Sequence, residues 1–143
     1  MTQSSQLQDR SALLAFGLIA GLLAVRMGLL AASPLELYAD EAQYWRWGQS
    51  LEWGYYSKPP MIAWVIYGST ALFGDSEWAI RFFAPIFHAV AATILFLLAR
   101  RMFNSTAALF TVITYLLMPG IILSSGVIST DGALFPFWCL ALY

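Results

Sequence analysis

Apolar stretches separated by polar segments of very unequal length set the pattern of the chain. A bilayer core about 30 Å thick takes about 20 helical residues to cross. Residues 11–32 meet that length with one charge, Arg26, and residues 79–99 meet it with Arg81 at the entrance and Pro85 and His88 inside. Residues 106–123 predict a third crossing, bent or ended near Pro119-Gly120 because proline removes a helix donor. Residues 133–143 begin a fourth and stop within it, as expected for the amino-terminal part of a longer protein. The pattern predicts an all-α, polytopic transmembrane helical bundle. The apolar run before "LLAAS" also fits a signal peptide, but it is long for one, and the later spans commit the chain to the membrane in either case.

The segment between the first two spans, residues 33–78, is patterned rather than featureless. "DEAQYWRWGQSL" predicts a short helix with Asp40, Tyr44, Trp47 and Leu51 along one face. "EWGYYSKPP" predicts a turn-rich link ended by Pro59-Pro60. "MIAWVIYGSTALF" gives a helix of about 20 Å, too short to span, so it is expected along the membrane surface or dipping into it. Gly74 ends it, and Asp75 or Ser76 is expected to cap the next span.

Composition supports the membrane reading. Hydrophobic residues make up 60% of the chain and charged residues 10%, against about 25% charged in soluble domains. A net charge of −1 leaves no basic footprint for nucleic acid, and the single cysteine, Cys139, excludes a disulfide framework. Lys and Arg set the orientation. Arg10 precedes the first span and Arg100 and Arg101 lie in a short turn, whereas residues 33–78 hold only Arg46 and Lys58 beside six acids. The amino terminus and the turn therefore face the cytoplasm and the long loop faces outward. Counting crossings, Asp131 emerges on the same outer face as Asp40.

Asp40 and Glu41 read locally as an N-cap and a first-turn acid, and Thr130 or Asp131 reads the same way for the fourth helix. Topology adds another reading. It brings Asp40, Asp131 and Lys58 to one surface, where a cation receives a phosphate while an acid takes a proton. Arg26 lies about 10 Å of helix below Ser33, within reach of snorkelling, structural pairing or a lipid phosphate. His88, the one histidine, reads as a satisfied structural residue rather than a metal ligand. Arg81 reads as an interfacial anchor. Trp45, Trp47, Trp53, Tyr55 and Tyr56 suit the headgroup layer.

The stretch "DEAQYWRWGQSLEWGYYSKPPMIAW" resembles the first outer loop of polyprenyl-phosphate-sugar-dependent glycosyltransferases of the GT-C fold. The nearer resemblance is to dolichyl-phosphate-mannose protein mannosyltransferase-like proteins and the bacterial lipid A aminoarabinose transferase. "STDGALFPFWCLALY" resembles the segment around the second acidic loop, "LARRMF" resembles the short cytoplasmic turn, and the likeness covers about residues 25–143.

The resemblance implies a bacterial inner-membrane enzyme that moves a sugar from a polyprenyl-phosphate donor to a lipid, glycan or protein hydroxyl at the outer face. It implies Asp40 as base or substrate ligand, Glu41 as its acidic neighbour, and Asp131 as the second acid, which orients the acceptor or holds a divalent cation if one is used. Lys58 matches a position associated with the lipid phosphate, and Tyr44 an aromatic position of the same helix. Tyr56, flanking Lys58, and Arg26 complete the candidate substrate contacts. No metal ligand set is assigned. Ser57 stands where some relatives carry an acid, and Gln43 where the aminoarabinose transferase pattern has Arg, which argues against that substrate. The alternative is a non-catalytic polytopic protein, a transporter or polyprenyl-lipid-binding subunit, with Arg26 and His88 in a polar pathway.

Overall fold

A computed structural model describes residues 3–143, with side chains from Arg10 onward, and shows helices and irregular connections without strands among them. The helices are α1 (Gln3–Ala31), α2 (Ala39–Gly48), α3 (Met61–Phe73), α4 (Glu77–Arg81), α5 (Phe83–Met102), α6 (Ser105–Leu117), α7 (Pro119–Ser124) and α8 (Thr130–Leu142). Residues Arg10–Ala31 of α1, and α4 with α5 together over Glu77–Met102, are long and apolar enough to cross a membrane. Helices α3, α6 and α8 have 13 residues each, about 20 Å.

Helix α5 is the hub, packing on α1, α6 and α8. Its small residues Ala91, Ala92 and Ala99 let neighbouring backbones approach, with Ala15, Phe96, Val112, Leu116 and Cys139 filling the space. A second apolar cluster, Tyr44, Ile62, Ile66, Ile80, Ala84, Ile128 and Ala133, pins α2 and α3 onto one end of the bundle. Large side chains such as Leu29, Phe110, Leu123, Phe137 and Trp138 remain exposed, the surface expected of a bundle facing lipid.

Two ends can be told apart. Arg101 donates through Nη1 to the Tyr143 carbonyl at 3.2 Å and lies 5.6 Å above its ring. Helices α5 and α8 therefore run parallel, with their carboxy-terminal ends side by side. The opposite end carries α2, α3 and the loop before α8, and is called the outer end after the charge pattern.

Local chemistry explains where the helices begin and end. Helix α2 starts at Ala39 with Tyr38 as its N-cap, so Glu41 occupies the third helical position and reaches back to accept from the Tyr38 N–H at 3.0 Å. The buried stripe is then Glu41, Tyr44 and Gly48, which leaves Asp40 exposed and Leu51 beyond the helix. Gly48 lets α2 approach α3 closely, since a Cβ would sit 3.3 Å from the Ala63 carbonyl and push the helices a few tenths of an ångström apart. Ser76 caps α4 by accepting from the Ala79 N–H at 3.2 Å. The third apolar segment is interrupted where proline was expected to bend or end it: Met118, extended before Pro119, separates α6 from α7.

Candidate functional site

The outer end is organised around a buried ion pair. Arg81 Nε donates to Glu41 Oε1 at 2.9 Å and Nη2 donates to Oε2 at 2.6 Å. Glu41 is 0% exposed and Arg81 2%, which corrects the expectation of an interfacial anchor at Arg81. Two charges taken out of water hold together only when their remaining hydrogen-bond sites are also filled. Here they are. Glu41 also accepts from Tyr38 N at 3.0 Å and Ile128 N at 2.9 Å, while Arg81 donates to the Leu35 and Glu36 carbonyls at 2.9 and 2.8 Å.

Asp40, next to Glu41 in the chain, is exposed. It lines an open cleft of about 470 Å³ with Tyr38, Glu41, Tyr44, Val127, Ile128 and Ser129. Asp131, exposed in the first turn of α8, lines a second cleft of about 380 Å³ with Pro59, Met61, Ile62, Ala133, Leu134 and Phe137. The loop before α8 is common to both: residues 127–129 face the first cleft, and Thr130 and Asp131 face the second. Ser129, rather than Thr130 or Asp131, caps α8, accepting from the Gly132 N–H at 3.0 Å. Asp131 is thereby released from capping.

Lys58 is half-buried beside Pro59, which lines the second cleft. Its carbonyl accepts from Tyr55 N at 3.4 Å, and Tyr55 stacks on Trp47 with centroids 4.9 Å apart. The Tyr55 hydroxyl lies 3.0 Å from both the Trp47 and Ser50 carbonyls, so the lysine-bearing turn is folded back on α2. Tyr44 is buried, 5.7 Å from Trp47, and lines the wall of the Asp40 cleft. Tyr56 is fully exposed and lines neither cleft. Trp45 is held by donating to Asp75 at 2.9 Å.

Arg26 is not brought into either acid-lined cleft. Its Nη2 donates to the Leu116 carbonyl at 2.6 Å, and it lines a separate crevice with Leu30, Ser125 and Gly126. His88 is 0% exposed, with Nδ1 2.9 Å from the Tyr115 hydroxyl and Nε2 3.0 Å from Ser124 Oγ, the satisfied position expected of it. Among the described residues no three His, Cys, Asp or Glu side chains gather as a metal site. Sequence reasoning missed the Glu41–Arg81 pairing. Its one local signal was an acid at the third helical position of α2, and nothing near Arg81 names a partner 40 residues away.

Two comparisons identify this all-α membrane scaffold as a GT-C glycosyltransferase fragment. Residues 57–143 match the family described as dolichyl-phosphate-mannose-protein mannosyltransferase, and the chain belongs to that family. It is also 41% identical over 137 residues to the lipid A galacturonosyltransferase RgtD of Rhizobium johnstonii, an alignment covering 95% of this chain. The chain spans 28% of the length of that relative. No solved structure matches significantly. The family match takes in Lys58 and Asp131, and the alignment with the galacturonosyltransferase extends over Asp40 and Glu41 as well.

Proposed function

We propose that the chain supplies the outer-end active site of an inner-membrane glycosyltransferase, open to the periplasmic side, that moves one glycosyl unit from a polyprenyl phosphate to an acceptor hydroxyl. The carrying observation is the pair of clefts that share the loop before α8, one holding Asp40 and the other an apolar groove holding Asp131 beside the Lys58-Pro59 turn. An apolar groove opening at a charged rim suits a lipid chain with a phosphate head.

In this reading Asp40 takes the proton of the acceptor hydroxyl as its oxygen attacks the anomeric carbon. The bond from that carbon to the phosphate oxygen breaks with inversion, and polyprenyl phosphate leaves with the electron pair. Lys58 offsets the charge growing on the departing phosphate. Asp131 orients the acceptor, and Tyr44 forms part of the wall behind Asp40. Arg26 and His88 are engaged by Leu116, Tyr115 and Ser124, which favours the transferase over a polar transport pathway.

The names of the relatives supply the first substrates to try: a galacturonosyl or mannosyl donor, and lipid A or protein as acceptor. Proteoliposomes of the complete protein, given each polyprenyl-phosphate sugar and each acceptor, test the reading by mass spectrometry of products. The expected result is one sugar added per acceptor. A deletion strain whose lipids and proteins lose no glycosyl unit would refute it.

A further inference from the structure

We infer that Glu41 and Arg81 form a positioning latch that fixes the Asp40 cleft against the loop before α8, and that neither takes part in proton transfer. The inference rests on the transferase reading for its kinetic consequence and on geometry for the rest. An ionised carboxylate offers about four lone-pair sites. Glu41 fills them with Arg81 Nε, Arg81 Nη2, Tyr38 N and Ile128 N, at 2.6 to 3.0 Å. No site remains for a substrate proton, and the side chain is 0% exposed.

What the pair joins is informative. Arg81 opens the α4–α5 span and gathers the Leu35 and Glu36 carbonyls, the chain that enters α2. Glu41 sits next to Asp40 and holds Ile128, three residues before Asp131. Among the described residues, the Ile128–Glu41 contact is the one hydrogen bond from the first outer loop to the loop before α8. The backbone on either side of it carries the two exposed acids. Releasing it frees the shared wall of both clefts, and a displacement of about 1 Å costs on the order of 100-fold in rate.

The experiment uses the complete protein in nanodiscs, with Glu41→Asp, Arg81→Lys and the double variant. Each keeps its charge, so folding survives better than with neutral replacements, but the shorter acid cannot reach both loops and the lysine cannot form the two-point contact. The expected result is a kcat per folded molecule lowered about 10- to 100-fold in each single variant, with the double no worse than the lower single. Affinity for the polyprenyl-phosphate sugar should stay within about threefold. Hydrogen exchange at the Ile128 amide should rise at least about tenfold, and spin labels at Ala42→Cys and Leu134→Cys, in a Cys139→Ala background, should report a broadened distance.

A purely stabilising pair would lower the thermal midpoint and leave kcat per folded molecule, and the label distance, unchanged. That result overturns the inference. If the parent protein transfers no sugar, the transferase reading fails on its own. The label distance and Ile128 exchange then decide the latch, which is overturned if both match the parent in Arg81→Lys.

Discussion

The interior of the bundle and its outer end treat polar side chains in opposite ways. In the interior, Arg26 donates to the Leu116 carbonyl and His88 is held between Tyr115 and Ser124. The break at Met118-Pro119 explains the first of these. Pro119 has no N–H, and the extended Met118 turns the chain away before Gly120 can donate to Leu116. A carbonyl left unbonded in a hydrocarbon layer costs several kcal/mol, and a guanidinium from α1 satisfies it. At the outer end, the adjacent carboxylates divide: Glu41 is saturated and buried, while Asp40 is exposed on a cleft. Inside, Arg26 closes a gap in the backbone and His88 is satisfied by two side-chain hydroxyls. The exposed acids outside each line a cleft.

Asp40→Asn breaks this contrast most severely. If the exposed acid is the base, turnover in the complete protein falls on the order of 10²- to 10⁴-fold, with thermal stability nearly unchanged and donor still bound. Transfer kinetics and a donor-binding assay on the same preparation check it. A loss within a few-fold would return Asp40 to the role of a first-turn acid.

Arg81→Met attacks the saturated partner instead. It leaves Glu41 buried without its cation, a change that costs about 3–5 kcal/mol. Here stability should fall first, read as a lower unfolding midpoint in detergent and loss of folded protein from the membrane. Asp40 and the Glu41 that Arg81 holds are joined by one peptide bond, yet the first substitution should act on rate with stability nearly unchanged, and the second on folding as well as on rate.

Much of this arrangement was legible in the chain and some was not. Apolar run length identified α1 and α5, the short α3, and Ser76 among the expected caps, because those depend on nearby residues. The face of α2 was misread. Packing of α2 on α3 buries Glu41, Tyr44 and Gly48, and leaves Asp40 exposed. The Glu41–Arg81 pair lay beyond any periodic signal, since its partners are 40 residues apart and are brought together by the tertiary structure rather than by spacing. The two clefts were anticipated only as a shared surface, because the loop before α8 acquires its two faces through the Ile128–Glu41 bond.

Lys58→Met tests the turn beside the apolar cleft, to which Pro59 rather than Lys58 contributes lining. A contact that strengthens as the phosphate gains charge is worth about 2–4 kcal/mol, so turnover at saturating donor should drop roughly 30- to 1000-fold. Lys58→Arg should recover part of it, since charge survives while geometry changes. An ordinary interfacial lysine contributes only about 1 kcal/mol to headgroup attraction. Turnover and donor affinity both near the parent value, with normal insertion, would remove Lys58 from the site.

The smallest effect separates capping from chemistry within three residues. Ser129 Oγ accepts from Gly132 N at 3.0 Å and lines the Asp40 cleft, whereas Asp131 lines the apolar one. Ser129→Ala removes the acceptor for an orphan helix N–H and should lower stability by about 1 kcal/mol. Ser129→Asp keeps an acceptor in the cap and should recover most of that loss in an unfolding measurement. Asp131→Asn leaves the Ser129 cap intact, so stability should change by no more than about 0.5 kcal/mol. Its expected consequence is on turnover, through the acceptor it orients. The pair of variants therefore has opposite signatures: the serine moves the unfolding midpoint more than the rate, the aspartate the rate more than the midpoint. If Asp131→Asn instead destabilises as much as Ser129→Ala and leaves turnover alone, Asp131 serves the helix start, and the second cleft loses its acid.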